Sequence, residues 1–259
     1  MIPFHDENET QRTPVVTLAL IATCAVTWLS VQGAGAGLPF LESVCNLGLI
    51  PGELLGSVPV GSGFAIAEGV ACVTDPGPQV LHVFTSMFLH GGWMHLIGNM
   101  WFLWLFGNNI EDSMSRPRFV AFYLVCGVSA ALGQVYAEPD SIIPMVGASG
   151  AISGVMGGYL VLYPRVRIFT LIPLGFMFTT MMLPAWVMLI YWFALQLFSG
   201  FASVLEPDTG GGVAFWAHLG GFAAGVVLIK LFARSEAVAE HRAHHYRPRR
   251  VGLNRGQWG

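Results

Sequence analysis

The chain has 259 residues and a formal net charge of −3, and 54% of its residues are hydrophobic while only 10% are charged. Soluble domains carry about 25% charged residues, so this composition excludes an ordinary soluble domain and indicates an integral membrane protein. Basic residues form no patch outside a short C-terminal tail, which argues against nucleic acid as a partner.

Six apolar stretches each approach the roughly 20 residues that a helix needs to cross a bilayer. Residues 1–14 form a short polar segment without the basic start and small-residue cleavage site of a signal peptide, so the first stretch is expected to be retained. The predicted fold class is an all-α polytopic membrane protein, with a six-helix membrane domain over 15–234 and a basic tail over 235–259. The predicted spans cover 15–33, 93–110, 119–137, 145–163, 182–203 and 213–233.

The distribution of lysine and arginine predicts the topology. These residues lie before span 1, between spans 2 and 3, between spans 4 and 5, and at or after the end of span 6, whereas the other connections contain none. Because positively charged connections stay in the cytoplasm, both termini are predicted to be cytoplasmic. The expected location is the inner membrane of a bacterium.

The connection between spans 1 and 2, roughly 34–92, is a long loop on the predicted outer side. It contains Cys45 and Cys72, in a setting where a disulfide can form. Two cysteines in one loop leave open whether they pair. Cys24 and Cys126 fall within spans and are expected to be buried small apolar residues.

Polar side chains from three predicted spans share one depth. Asn99, Ser149 and His218 each lie 16 or 17 residues before an arginine at the cytoplasmic end of their span. At 1.5 Å per residue each is about 24–26 Å above that end, in a hydrocarbon core about 30 Å thick. His95 precedes Asn99 by four residues and shares its helix face. The pattern predicts one site near the outer surface.

A serine and a histidine brought together indicate nucleophilic catalysis. A serine hydroxyl is a weak nucleophile until an adjacent base takes its proton, and neutral imidazole can do so near physiological pH. The oxyanion of a tetrahedral intermediate then needs hydrogen-bond donors, for which the backbone N–H of Ser149, the His95 ring and the Asn99 amide are candidates. No Asp or Glu occurs at this depth, so a dyad of Ser149 and His218 is predicted rather than a triad.

Three sequence motifs carry a resemblance to a known family. The motifs are GASG at Gly147–Gly150, AHLGGFAAG at Ala217–Gly225 and HGGWMHLIGNM at His90–Met100. Together, and in this order, they resemble the motifs of the rhomboid proteases over roughly residues 80–230. Rhomboid proteases cleave the transmembrane segments of single-span or multi-span membrane proteins, within the lipid bilayer and without a metal or other cofactor.

The resemblance implies a role for each matched residue. It makes Ser149 the nucleophile and His218 the general base, with His95 and Asn99 helping to form the oxyanion hole. The remaining motif residues that are expected to support the site are His90, Gly147, Gly150, Gly221 and Gly225. The resemblance also implies that span 5 is a lateral gate for the substrate, whereas its bulky side chains alone favour a lipid-facing helix. Pro184 is expected to weaken that helix near its inner end.

The sequence departs from the family pattern at two places. Leu81-His82 stands in the outer loop where many members have Trp-Arg. Ser153 stands where many have a tyrosine beneath the catalytic histidine. Tyr159 and Trp216 are candidates for the aromatic ring that supports the imidazole instead.

Three other classes of function compete with a rhomboid protease. A catalytically silent rhomboid-like factor that binds membrane proteins is the main alternative, although such relatives typically lack the serine or the histidine. A membrane metalloenzyme would use His82, His90, His95 and His218, which lack a helical HExxH pair or a nearby carboxylate ligand. A transporter would require buried carboxylates or an inverted repeat, and the sequence has neither.

Overall fold

The computed structural model describes residues 2–67, 69–174, 177–205 and 214–245, and these residues are mostly helical. Its α-helices are α1 (Val15–Ser30), α2 (Gly37–Leu47), α3 (Pro51–Leu55), α4 (His82–Thr85), α5 (Trp93–Phe102), α6 (Asn108–Asp112), α7 (Arg116–Ala137), α8 (Ser149–Leu162), α9 (Ala185–Leu205), α10 (Phe215–Phe232) and α11 (Ser235–His245). Its strands are β1 (Ile2–Asp6), β2 (Gly63–Ala67), β3 (Val70–Val73), β4 (Arg167–Leu174) and β5 (Met177–Pro184). Part of the connection between spans 5 and 6 and the end of the basic tail lie outside the described residues.

Apolar helices occupy all six predicted span positions. Two of them, Arg116–Ala137 and Phe215–Phe232, are each long and apolar enough to cross a membrane, judged over the described residues. Shorter apolar helices cover Val15–Ser30, Ser149–Leu162 and Ala185–Ser199. The remaining position is filled by α5 and α6, which the π-helical segment Leu103–Gly107 joins into one continuous helix. The crossing of the bilayer by six helices stays a prediction.

Helices α7, α8 and α10 form the centre of the bundle, and glycines allow α8 and α10 to touch backbone to backbone. A Cβ atom at Gly221 would lie 2.0 Å from the Gly150 carbonyl oxygen, and one at Gly225 would lie 1.9 Å from the Gly154 carbonyl oxygen. Only residues without a side chain fit at such a crossing, as is usual where apolar helices pack closely. The two helices that carry Ser149 and His218 are therefore held in direct contact.

A buried carboxylate fixes the start of α1. Glu111, on α6, accepts hydrogen bonds from the backbone N–H groups of Val16 and Thr17 at 3.0 and 2.8 Å, and from the Thr17 hydroxyl at 2.9 Å. The first N–H groups of a helix lack partners within the helix, and a negative charge there also complements the helix dipole. Glu111 thus ties α1 to the end of the α5–α6 helix.

The connection between α8 and α9 forms an antiparallel hairpin, β4–β5, and strand β1 pairs with β4 to give a sheet of order β1-β4-β5. The all-α prediction is therefore incomplete, because residues 167–174 pair with residues 177–184 and with the N-terminal strand. The prediction for Pro184 is wrong. Pro184 ends β5 opposite Arg167, and α9 begins only at Ala185, so the proline precedes the helix and does not interrupt it.

Strand β1 is anchored to the bundle by a buried carboxyl group. Asp6 accepts a hydrogen bond from the Asn109 amide at 2.9 Å and another from the Tyr159 hydroxyl. Further along the strand, the Trp101 indole N–H donates to the Pro3 carbonyl at 2.7 Å. Burial raises the pKa of Asp6 to about 7, against an ordinary value of 3.8. The attachment of β1 therefore depends on the protonation of this residue.

The long loop between α1 and α5 contains α2, α3, the β2–β3 hairpin and α4. A disulfide between Cys45 and Cys72 joins α2 to β3, which answers the question that the sequence left open. Glu53 on α3 lies 3.7 Å from the His82 ring, and its carboxylate also accepts the Asp75 backbone N–H at 3.0 Å. His82, which stands where many family members have arginine, thus lies beside a carboxylate of the same loop.

Candidate active site

Ser149 and His218 meet in the middle of the bundle. The Ser149 Oγ lies 2.7 Å from the His218 Nε2, which is hydrogen-bonding distance. Ser149 is the first residue of α8, and His218 lies in the first turn of α10. Both side chains depend on the glycine contact between α8 and α10, because that contact sets the separation of the two helices. The His218 side chain is buried.

The loop before Ser149 requires glycine at position 147. Gly147 has a φ of +133°, a conformation that residues with a Cβ rarely adopt. A Cβ atom at this position would also lie 2.9 Å from the His95 Nε2 and Cε1 atoms. The Gly147 N–H donates to the Ser86 carbonyl at 2.8 Å, which holds the loop against the chain segment before α5. Gly147 therefore lets His95 approach the serine.

His95 and Asn99 project from one face of α5 towards the same cavity. The His95 Nδ1 accepts the Gly91 backbone N–H at 3.1 Å, so in the neutral ring the proton lies on Nε2, the atom that faces Gly147. Asn99 is buried, and its amide nitrogen has no hydrogen-bond partner among the described residues. A buried donor without a partner requires a specific explanation, and a ligand oxygen in the cavity would supply one.

Two residues of α9 complete the surroundings of His218. The Gln196 Oε1 lies 2.8 Å from the His218 Nδ1, on the opposite side of the ring from Ser149. Trp192, one helical turn earlier, packs on the imidazole with ring centroids 5.9 Å apart. Neither residue was among the predicted site residues. Their spacing of four places them on one face of the helix, but the bulky side chains of span 5 favour a lipid-facing helix, so the sequence does not show that this face meets His218.

The expected aromatic support for the imidazole is corrected by this arrangement. The ring that packs on His218 is Trp192, and not Tyr159, whose hydroxyl donates to Asp6 and whose ring contacts Phe106 with centroids 5.0 Å apart. The Ser153 hydroxyl, at the usual tyrosine position, donates to the Ser149 carbonyl at 2.6 Å within α8. The aromatic contact to His218 therefore comes from α9 and not from the residue four positions after Ser149.

The other motif residues lie around this site without contributing a reacting group. His90 is buried with its ring centroid 5.2 Å from that of His95, and the Gln32 amide pairs with both its backbone N–H and its carbonyl at 2.8 Å. A Cβ at Gly150 would lie 2.6 Å from the Ala130 Cβ, so this glycine also permits α7 to pack on α8. Gly221 and Gly225 form the contact between α8 and α10.

The site lies in a cavity of about 480 Å³. Among the described residues, its lining includes no Asp or Glu, so the hydrogen bonds to both ring nitrogens of His218 come from uncharged groups. Within the same part of the chain, no three His, Cys, Asp or Glu side chains are grouped as metal ligands would be. The polar side chains that line the cavity belong to three serines, two histidines and two amides: Ser86, Ser149, Ser153, His95, His218, Asn99 and Gln196.

The chain is mostly helical, and its apolar helices surround a buried histidine that contacts a serine, an arrangement typical of a helical membrane protein with a polar site in its interior. The match of a Rhomboid domain model to residues 77–235, over half of the chain, identifies the family. The chain belongs to the rhomboid family, whose members are integral membrane proteins and include serine intramembrane proteases.

Individual relatives match shorter regions. YdcA of Bacillus subtilis (strain 168), whose designation as a rhomboid protease is itself provisional, is 37% identical over 76 residues, which are 29% of this chain and 38% of YdcA. RHOMBOID-like protein 5 of Arabidopsis thaliana is 33% identical over 76 residues, 29% of this chain and 25% of that protein. The mitochondrial presenilin-associated rhomboid-like protein of Bos taurus is 26% identical over 163 residues, 59% of this chain and 39% of that protein.

The chain thus matches well under half the length of these relatives. The relatives also include bacterial, mitochondrial and chloroplastic proteins, so the comparisons give no support to the predicted bacterial inner membrane over an organellar one. Membership of the family and location in a membrane follow from the comparisons. Activity and substrate are matters for proposal.

Proposed function

We propose that the protein is an intramembrane serine endopeptidase that cleaves transmembrane segments of single-span or multi-span membrane proteins. The observation that carries the proposal is the 2.7 Å contact between the Ser149 hydroxyl and the His218 Nε2. Ionisable side chains among apolar membrane helices are costly and usually mark a functional site, so catalysis is the best explanation for a buried histidine that contacts a serine hydroxyl. The site needs no cofactor for the reaction that follows.

In the first half of the reaction, the Ser149 Oγ attacks the carbonyl carbon of the scissile bond while its proton passes to the His218 Nε2. The oxygen that becomes negative is oriented towards the Asn99 amide, the His95 Nε2–H and the backbone N–H of Ser149. That backbone group is available because the first N–H groups of a helix have no acceptor within the helix. The carbon–nitrogen bond then breaks, and His218 returns the proton to the leaving amine.

The second half of the reaction hydrolyses the acyl-enzyme. A water molecule attacks the ester carbonyl as His218 takes one of its protons, and the same three donors hold the oxyanion again. The ester bond to the Ser149 Oγ breaks, and that oxygen recovers the proton. The product is a peptide with a new carboxylate, and the serine is free for another cycle.

The proposal includes the predicted topology, with six spans, both termini in the cytoplasm and the site nearer the outer surface. The substrate reaches Ser149 from the lipid, between α5 and α9. Both helices carry exposed apolar side chains, among them Met94 and Ile97 on α5 and Leu195 and Phe198 on α9. Substrate helices with Gly, Pro or Ser near their outer end are expected to be preferred, because they unwind readily into the extended form that a protease requires.

The direct test is cleavage of a single-span reporter protein by the purified enzyme in liposomes, compared with Ser149→Ala. The variant removes one hydroxyl, so it is expected to abolish cleavage and labelling by a fluorophosphonate while changing the melting temperature by only a few degrees. A chelator is included as a control and is expected to have no effect. Cleavage that survives in Ser149→Ala would refute the proposal. Absence of cleavage by the wild type in several lipids and with several substrates would favour the silent binding factor.

A further inference from the structure

The His218 imidazole is held at both of its nitrogens. Its Nε2 faces the Ser149 hydroxyl at 2.7 Å, and its Nδ1 faces the Gln196 Oε1 at 2.8 Å. Gln196 lies on α9, four residues after Trp192, so one face of α9 supplies both the amide at the ring edge and the indole on the ring face. The amide therefore occupies the position in which a serine protease triad has its carboxylate.

The position of the amide oxygen has a chemical consequence. A neutral imidazole carries one proton, and the nitrogen without it is the only one that can act as a base. An amide oxygen accepts hydrogen bonds and cannot donate them, so it favours the form of the ring with the proton on Nδ1. In that form the Nε2 lone pair is free and points at the serine hydroxyl.

We propose that Gln196 is a positioning residue that selects the Nδ1–H tautomer of His218 and fixes the ring for proton transfer from Ser149. This inference rests on the proposed function, and it replaces the predicted dyad by a triad with an uncharged third member. When His218 takes the serine proton, the bond from Nδ1–H to the Gln196 oxygen becomes charge-assisted and therefore stronger. The amide stabilises the imidazolium less than a carboxylate would, since it offers a dipole and not a full charge.

Two substitutions at Gln196 separate positioning from packing. Gln196→Leu keeps the size of the side chain and removes the acceptor, so kcat is expected to fall about 10- to 100-fold with little change in KM. Gln196→Glu restores an acceptor with a charge, so activity should be retained and the acid limb of the pH–rate profile should move to higher pH. The carboxylate has this effect because it favours imidazolium over neutral imidazole.

Gln134 provides a matched control on the neighbouring helix α7. Its Oε1 accepts the Ala217 backbone N–H at 3.3 Å, one residue before His218, but it does not contact the ring. Gln134→Leu also removes a buried acceptor, and it is expected to lower thermal stability without moving the pH–rate profile. A pure loss of packing or stability would therefore affect the Gln134 and Gln196 variants alike, whereas loss of positioning affects only Gln196.

The tautomer can also be observed without catalysis. Nitrogen-15 spectra of the histidine rings, with His218 assigned by its loss in His218→Asn, are expected to show an Nδ1–H ring in the wild type and a shift towards Nε2–H in Gln196→Leu. Full kcat and an unchanged ring spectrum in Gln196→Leu would overturn the inference, as would equal losses in the Leu and Glu variants with an unmoved pH–rate profile. Failure of the proposed function would be recognised separately, as cleavage that does not depend on Ser149.

Discussion

Substitution of Gly221 by alanine tests whether the contact between α8 and α10 sets the geometry of the site. A Cβ atom at this position would lie 2.0 Å from the Gly150 carbonyl oxygen, whereas ordinary contact begins at 3.4 Å, so the helices must separate by about 1.4 Å. The Ser149 Oγ and the His218 Nε2, now 2.7 Å apart, would then be about 4 Å apart if the shift were along their line. Misplacement by about 1 Å can reduce a rate 10²-fold, and overpacking itself costs about 1–3 kcal/mol.

The assay is the rate of fluorophosphonate labelling of Ser149 beside the melting temperature of the same sample. Gly221→Ala is expected to label about 100-fold more slowly than the wild type, and to unfold at a lower temperature. Val227→Ala is the control on the same helix, since Val227 is 71% exposed and faces away from α8. A labelling rate for Gly221→Ala within twofold of the wild type would refute the reasoning, because it would mean that the helices adjust without moving His218.

Two further predictions concern Asn99 and Asp6. Asn99→Ala removes an amide donor that has no hydrogen-bond partner among the described residues, and it should lower the kcat of reporter cleavage about 10- to 100-fold. The loss is limited because His95 and the Ser149 backbone N–H remain as donors. An unchanged kcat would show that Asn99 does not stabilise the oxyanion. Burial raises the pKa of Asp6 to about 7, so the folded protein keeps the proton that the unfolded chain loses near pH 3.8. The attachment of β1 should therefore be strongest below pH 3.8. It should weaken by at most about 4 kcal/mol as the pH rises to 7. Hydrogen exchange of residues 2–6 should therefore accelerate between pH 3.8 and 7 by more than its intrinsic pH dependence. Asp6→Asn should abolish this extra acceleration. Identical exchange profiles for the wild type and Asp6→Asn would contradict the role of Asp6 in holding β1.

The helices and the meeting of Ser149 with His218 could be predicted from the sequence because each follows from a local pattern. Long apolar runs predict helices, and a constant distance from the basic ends places polar residues at one depth. The glycines that permit the contact between α8 and α10 also recur at helical spacing. In each case the signal lies within one element and needs no knowledge of which elements are neighbours.

The α9 residues that contact His218, and the three-stranded sheet, could not be predicted in this way. Gln196 and Trp192 lie among bulky apolar residues of α9, and nothing within that helix indicates which face meets α10. The β4–β5 hairpin consists of short apolar runs that fit a strand or a helix equally well, and β1 joins it from more than 160 residues away. The Cys45–Cys72 pairing likewise depends on how the outer loop folds and not on the spacing of its cysteines.

Because Gln196 and Trp192 both belong to α9, a movement of this helix would affect how readily Ser149 reacts with lipid. A bilayer is dense with the ester bonds of its own lipids, and a permanently reactive serine among them would be a hazard to the cell. If α9 swings outward to admit a polypeptide, the groups that align the histidine leave with it, and the serine is chemically idle while the interior is open to lipid. In that case the serine would become reactive only after α9 had closed on the polypeptide, so one movement would both admit the substrate and activate the nucleophile.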